Sequence, residues 1–257
     1  MKILVCVKQV PDMEAALKPD QDGAWIDERD VAFRMNEYDE YAVEQAERTK
    51  EQLGAGTEIT VCSIGPARVT EAVRKALAMG ADRGVHIRDD ASPKKDPWQI
   101  ASVIAAFARE QGFDLIFTGM QSQDRGSAQV GALVAAELGY ACATTAVSFS
   151  IEGNRVAVGR ELEGGVKMIV KLQLPAVVTC QLGLNVPRYP TLPNIMKAKQ
   201  KELRVLDVSG LPSEPARTVT EAFYRPEKKS GTLVLEGDIG TMADQLAAML
   251  KEKILRS

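Results

Sequence analysis

The sequence predicts an α/β protein: a doubly wound, mostly parallel sheet with antiparallel hairpin additions and an extended C-terminal arm. Three observations carry that reading. Short apolar runs of strand length alternate with amphipathic stretches as far as residue 138. Between residues 144 and 171 the pattern changes to short alternating runs separated by Glu152-Gly153 and Gly164-Gly165, the mark of antiparallel hairpins. Beyond residue 209 the chain turns rich in Pro, Ser, Glu and Lys, with little to build a core.

Residues 2–8 (KILVCVK) form the first buried strand, which Pro11-Asp12 breaks. After a polar stretch, Asn36 fits an N-cap. Glu37, Asp39 and Glu40 then suit the positive end of a helix that stops at Gly54. A strand at 57–65, a helix from Ala67 to Gly80 and a short strand at 84–88 follow. Asp96-Pro97 caps an amphipathic helix over roughly 98–111, and 113–119 (FDLIFTG) is a buried strand ending in glycine. Ser127–Leu138 reads as helix. The hairpin strands are 144–150, 154–161 and 165–171, and 174–180 (LPAVVTC) is the last apolar strand. NVPRYPTLPN carries three prolines and reads as a loop, 209–231 as an arm, and 238–255 as a helix with Leu246, Met249, Leu250 and Ile254 on one face.

Composition narrows the function. With 32 basic against 35 acidic residues and 5% aromatics, no nucleic-acid surface is expected. The N-terminal apolar run ends at Lys8, too short for a signal peptide, and no stretch is long enough to span a bilayer. A cytoplasmic or organelle-matrix protein is the expectation. Cys6, Cys62, Cys142 and Cys180 form no CxxC pair and read as small buried hydrophobes. The single histidine, His86, reads as structural, and no metal site is expected.

A dinucleotide fingerprint after the first strand, a P-loop, a nucleophile elbow and a zinc-protease motif are all missing. Three positive signals remain. GMQSQDRGSAQVGA (119–132) joins a buried strand to a helix, and its glycines and free helix-start N–H groups suit a phosphate. The strand ends at Cys6–Lys8 and Ser63–Gly65 flank the same crevice in a doubly wound sheet. YPTLPNIMKAKQK (189–201) sets Leu192 and Ile195 beside Lys197, Lys199 and Lys201, an apolar tip with a basic border. Ordinary strand termini and a solvated charged helix are the plainer readings of the last two.

These segments resemble the electron transfer flavoprotein β subunit. KILVCVKQVPD (2–12), NEYDEYAVEQAERTKE (36–51), ALAMGADRGVHI (76–87), GMQSQDRGSAQVG (119–131), RELEGG (160–165) and LPAVVTCQLGLNVPRYPTLPNIMKAKQK (174–201) occur in the family's order. The resemblance implies a Rossmann-like nucleotide-binding domain over 1–201. A C-terminal arm and helix over 202–257 would pack on a larger α subunit that holds most of the FAD. It implies AMP in this subunit, or a second FAD as in electron-bifurcating members. The matching contact positions are Cys6, Asn36, Glu37, Tyr38, Asp39 and Ile64. They continue with Gly119, Met120, Gln121, Ser122, Gln123 and Asp124, then Arg125, Gly126, Ser127, Ala128, Gln129 and Val130. Met13 and Tyr38 match positions near the shared flavin, and Glu161 matches an α-subunit contact. A recognition loop for acyl-CoA-type dehydrogenases falls on Thr191, Leu192, Pro193, Asn194, Ile195, Met196, Lys197 and Lys199, with Leu192 as anchor. The implied role is an electron carrier with no catalytic residue, passing electrons towards a quinone-reducing acceptor. Its rivals are an NADH-oxidising bifurcating subunit and a stand-alone nucleotide-binding regulator. The loop 123–131 departs from both the acidic run and the aspartate-glycine-aspartate form found in the family. Arg125 there either pairs with a phosphate or fills the space a longer cofactor needs.

Overall fold

A computed structural model describes residues 1–257 except 213, 225, 227–230, 232, 256 and 257. Its strands are β1 (Lys2–Cys6), β2 (Gln9–Pro11), β3 (Phe33–Met35), β4 (Glu58–Gly65), β5 (Arg83–Arg88), β6 (Leu115–Gly119), β7 (Ala141–Glu152), β8 (Arg155–Glu161), β9 (Lys167–Gln173), β10 (Ala176–Cys180) and β11 (Leu203–Asp207). Its α-helices are α1 (Glu37–Leu53), α2 (Thr70–Met79), α3 (Pro97–Arg109), α4 (Val130–Leu138), α5 (Leu192–Gln200) and α6 (Ile239–Leu255).

The main sheet has nine strands in the order β11-β5-β4-β1-β6-β10-β7-β8-β9. Pairing is parallel from β11 to β7 and antiparallel from β7 to β9. The chain builds outward from β1 through β4 and β5, then crosses back to place β6 on the other side of β1. That reversal opens a crevice beyond the carboxyl ends of β1 and β6, where open α/β sheets bind ligands.

Successive residues of a strand face opposite sides, so a sheet buried on both faces needs continuous apolar runs. Ile3 and Val5 join Val61, Phe117 and Val178 in a core beneath α1 and α2, while Leu4 joins Ile116, Val177, Ile104 and Phe107 in a core beneath α3 and α4. Each such side chain contributes about 1.5–3 kcal/mol of burial. Phe117 also meets Phe149 edge-on at 5.2 Å, tying β6 to the hairpin strands.

The structure departs from the sequence reading in four places. The helix expected from Ser127 starts at Val130, because Gly126 (φ 59°) and Ala128 (φ 52°) are left-handed and cannot continue a right-handed helix. The segment expected as a loop at 191–199 is α5. Thr191 caps it by accepting the N–H of Asn194, and Pro193 lies in the first turn, where its missing donor costs nothing. Gln9–Pro11 pairs with Phe33–Met35, a small hairpin that the polar intervening sequence concealed. Residues 203–207, read as the start of the arm, form the edge strand β11 against β5. The chain accordingly divides after Phe223 rather than after residue 201.

Residues 211, 212 and 214–223 have no regular structure but belong to the first unit. Asp96 accepts the backbone N–H groups of Arg217 (2.7 Å) and Thr218 (2.9 Å), and the Arg217 guanidinium lies 3.6 Å over the Trp98 ring. Part of the stretch read as an arm, residues 213, 225 and 227–230, lies outside the described residues. The second unit, Tyr224–Ser257, contains α6, on which Leu246, Met249, Leu250 and Ile254 are all at least 40% exposed.

Candidate functional site

The crevice between the ends of β1, β4 and β6 is a pocket closed by the 120–131 loop and by Pro93, Lys95 and Pro97. Of the residues read from sequence, Cys6, Asn36, Asp39, Ile64, Gly119, Met120, Gln121, Ser122, Arg125, Ser127, Ala128, Gln129 and Val130 line it. Glu37, Tyr38, Gln123, Asp124 and Gly126 do not; most of them brace the loop that does.

The bracing starts at Asn36. It occupies the N-cap position of α1, but its side chain makes no cap hydrogen bond. Instead Asn36 Nδ2 donates to Gln121 O (2.9 Å), and Oδ1 accepts the Gln123 N–H (3.0 Å). Gln123 Nε2 donates to Glu37 (3.0 Å), and Gln121 Nε2 donates to the Tyr38 hydroxyl (3.0 Å). One turn of α1 thus sets the shape of the 121–123 backbone.

Asp39 ties the two strands beside the crevice. Its carboxylate accepts the backbone N–H groups of Lys8 (2.6 Å) and Gly119 (3.0 Å). Burial pushes its pKa up to about 7, against the opposing pull of those donors. Gly119 is required here, since a Cβ would strike Asp39 Oδ1 and the Tyr38 side chain. Lys8 Nζ reaches across to both oxygens of Asp124 (2.7 Å), so Asp124 anchors the loop instead of facing a ligand. Burial lowers the Lys8 ammonium, and Asp124 partly restores it.

At the far wall, α4 begins without a side-chain cap. Its first N–H groups lie next to the left-handed Gly126 and Ala128, a backbone concavity suited to an anion. Gly131 lets this end approach β6 and β10: a Cβ there would lie 2.6 Å from Thr118 Oγ1 and Thr179 Cγ2. Arg125 lines the same wall. Its guanidinium donates to Pro93 O and to the Thr220 hydroxyl (3.3 Å) and lies 4.7 Å from the Trp25 ring. Burial lowers its basicity, offset in part by Asp124. Lys95, Arg68, Pro93 and Pro97 were missed by the sequence reading. They come from segments whose polar or proline-rich character marks only loops and helix starts.

The other predicted residues lie elsewhere. Met13 is exposed in a turn after β2 and does not line the crevice. Glu161 ends β8, exposed, with its carbonyl accepting the Thr145 hydroxyl at 3.4 Å. Thr191, Leu192, Pro193, Asn194, Ile195, Met196, Lys197 and Lys199 lie at or in α5. Leu192 is 79% exposed and Met196 61%, whereas Ala198 is buried against α2. Arg188 fixes the approach to α5, bonding Glu44 (2.7 Å) and Glu51 (2.7 Å) on α1. His86 is buried in β5, its Nε2 paired with Gly65 O at 2.8 Å.

Among the described residues no group of three or more His, Cys, Asp or Glu side chains is arranged to hold a metal ion. Among the described residues no helix is long and apolar enough to cross a membrane. Residues 24–211 match the electron transfer flavoprotein domain. The chain is 44% identical over 203 residues to the electron transfer flavoprotein subunit beta of Bradyrhizobium diazoefficiens, covering 79% of this chain and 80% of that one. It is 38% identical to the Mus musculus subunit beta over 98% of this chain and 97% of that one. It is 36% identical to the subunit beta, mitochondrial, of Oryza sativa subsp. japonica over 98% of each. Taken with the crevice at the sheet's switch point, these matches show that the chain belongs to the electron transfer flavoprotein beta-subunit family.

Proposed function

We propose that this chain is the electron-carrying β subunit of a heterodimeric electron transfer flavoprotein, partnered by an α subunit and working in a bacterial cytoplasm or an organelle matrix. The role is electron transfer, not the conversion of a substrate. An FAD shared with the α subunit supplies the redox chemistry, and this chain supplies binding and orientation. Glu161, Met13 and Tyr38 are the residues we assign to the flavin-facing and α-subunit-facing surface, and α6 to packing on that subunit.

In the crevice we place an AMP of structural role. The observation that carries this is the wall formed by Gly126, Ala128 and the uncapped start of α4, beside Arg125. Backbone N–H groups there suit a phosphate without any lysine of a P-loop. Arg125 is held between Pro93 and Thr220 at this wall, and we read it as filling the space a longer cofactor would need, in favour of a mononucleotide over a second FAD. The exposed end of α5 is the docking element for an acyl-CoA-type dehydrogenase. Its apolar Leu192 and Met196 carry a border of Lys197 and Lys199. Electrons then pass to a quinone-reducing acceptor.

The test is the nucleotide content of the complex. The chain is co-expressed with its α subunit, the purified complex is denatured, and released nucleotides are quantified by chromatography. One FAD and one AMP per heterodimer is the expected result. Two FAD and no AMP would overturn the assignment of the crevice to a mononucleotide.

A further inference from the structure

Lys8, Arg68, Lys95 and Arg125 are the cations that line the crevice. The first three are neutralised by carboxylates: Lys8 by Asp124 (2.7 Å), Arg68 by Glu28 (2.7 Å) and Lys95 by Asp89 (2.6 Å). Arg125 forms no ion pair among the described residues. Asp124 acts on it only through space, its oxygens being taken by Lys8. The Arg125 guanidinium donates to two neutral oxygens instead, Pro93 O and Thr220 Oγ1 (3.3 Å). Of the five N–H donors of an arginine, those left over remain for an anion in the crevice.

Thr220 does not itself line the crevice. It lies in the middle of a surface strap, residues 217–223, which is tied down on either side of it. At the start of the strap, one oxygen of Asp96 accepts the N–H groups of Arg217 (2.7 Å) and Thr218 (2.9 Å), while the other caps α3 by accepting the Gln99 N–H (2.8 Å). At its end, the Phe223 N–H donates to Gly23 O (2.6 Å). Both ties sit close in sequence to the other contacts of the same guanidinium. Asp96 follows shortly after Pro93, and Gly23 shortly precedes Trp25, whose ring lies 4.7 Å from Arg125.

We infer that Thr220 is a positioning residue of the crevice, through which the strap holds the Arg125 guanidinium at the wall ready for the phosphate of a nucleotide. The inference rests on the mononucleotide reading of the crevice. An arginine side chain has many rotamers, and ordering it on binding weakens affinity; a bond already in place removes that loss. A hydroxyl suits the task because it fixes the guanidinium without cancelling its charge, as a carboxylate in the same place would. Burial disfavours the charged form of Arg125, so an un-neutralised guanidinium at this wall favours an anion beside it. Securing the strap alone does not require the Thr220 hydroxyl, since Asp96 and Gly23 hold the two ends.

The test loads the co-expressed complex with radiolabelled AMP and follows release of the label into excess unlabelled AMP. Thr220→Val keeps the shape of the side chain and removes the acceptor. It should speed release by about three- to tenfold, with no change in melting temperature. Thr220→Ser, which restores the hydroxyl, should release AMP at the parent's rate. Arg125→Met should speed release at least as much as Thr220→Val. Adding Thr220→Val to Arg125→Met should do nothing more, because Thr220 acts through the guanidinium. Thr220→Ala replaces the valine variant if that one fails to fold. Release from Thr220→Val at the parent's rate, or a further acceleration in the Arg125→Met background, would overturn the inference and leave the mononucleotide reading intact. A parent complex that holds no AMP overturns that reading, and the inference with it.

Discussion

Asp39 Oδ1 accepts the backbone N–H of Gly119 at 3.0 Å, although the two are 80 residues apart in sequence. The second oxygen accepts the N–H of Lys8, so one carboxylate on α1 fixes the spacing of β1 and β6 where they open the crevice. Asp39→Ala leaves two buried donors unpaired, each costing about 1–3 kcal/mol. Gly119→Ala introduces a methyl group into Asp39 and Tyr38, an overpacking worth about 1–3 kcal/mol. Both variants should lower the urea midpoint and retain less nucleotide after gel filtration. If Asp39→Ala unfolds within about 0.5 kcal/mol of the parent, the clamp is not a structural tie.

Leu192 stands almost free at the start of α5. Truncating a side chain this exposed changes folding stability by no more than about 0.5 kcal/mol, yet an anchor that fills a partner's pocket carries much of a docking energy. Leu192→Ala should slow electron acceptance from the partner dehydrogenase by about tenfold or more, an effect of about 1.4 kcal/mol or greater. Flavin content and melting temperature should not change. Stopped-flow reduction at several dehydrogenase concentrations gives the answer, and unchanged kinetics would falsify the assignment of α5 as the docking element.

How much of this was legible depends on the range of the interaction. Runs such as KILVC and LIFTG announce β1 and β6 because a strand buried on both faces needs apolar residues at every position. The 119–130 segment was legible as a crevice loop from its place between a buried strand and a helix, and much of it lines the crevice. Its internal division was not. Asp124 turns towards Lys8 and Gln123 towards Glu37, and no local pattern encodes which polar residue of a loop faces a ligand and which faces the protein. α5 was read as a loop because three prolines outweighed a nine-residue helix that Thr191 nucleates. β11 was hidden for a related reason: LRVLD is a short edge strand, half exposed, and only the presence of β5 gives it a partner.

Lys201 shows how α5 is held. Its ammonium donates to Leu77 O (2.9 Å), Gly80 O (3.0 Å) and Ala81 O (2.7 Å), the carbonyls at the negative end of α2. Lys201→Met keeps most of the stem but leaves those carbonyls without their donor, at a cost of about 1–3 kcal/mol. Amide exchange in residues 192–200 should accelerate more than in β1 or β6. Dehydrogenase docking should weaken even though Lys201 does not belong to the exposed tip. Uniform acceleration across the whole chain would instead mark a general loss of stability with no particular tie to α5.

Glu47 is the clearest source of pH dependence. It is buried on α1 with Oε1 unpaired, near Lys50, Asp82, Arg188 and Lys201, and burial pushes its pKa up to about 7. In the unfolded chain a glutamate loses its proton near about 4.3. Between those values the folded protein holds more protons than the unfolded one, so stability falls as pH rises. The contribution is fully present below about 4.3 and is lost as pH passes through about 7. Asp39, also raised to about 7 by burial, acts in the same direction. Glu47→Gln removes one of these two slopes while keeping the shape of the side chain. Its melting temperature should therefore decline less than the parent's from about pH 5 to about pH 8, and should exceed the parent's at the upper end. Parallel melting profiles for the two proteins would mean that Glu47 ionises in the fold at an ordinary carboxyl value.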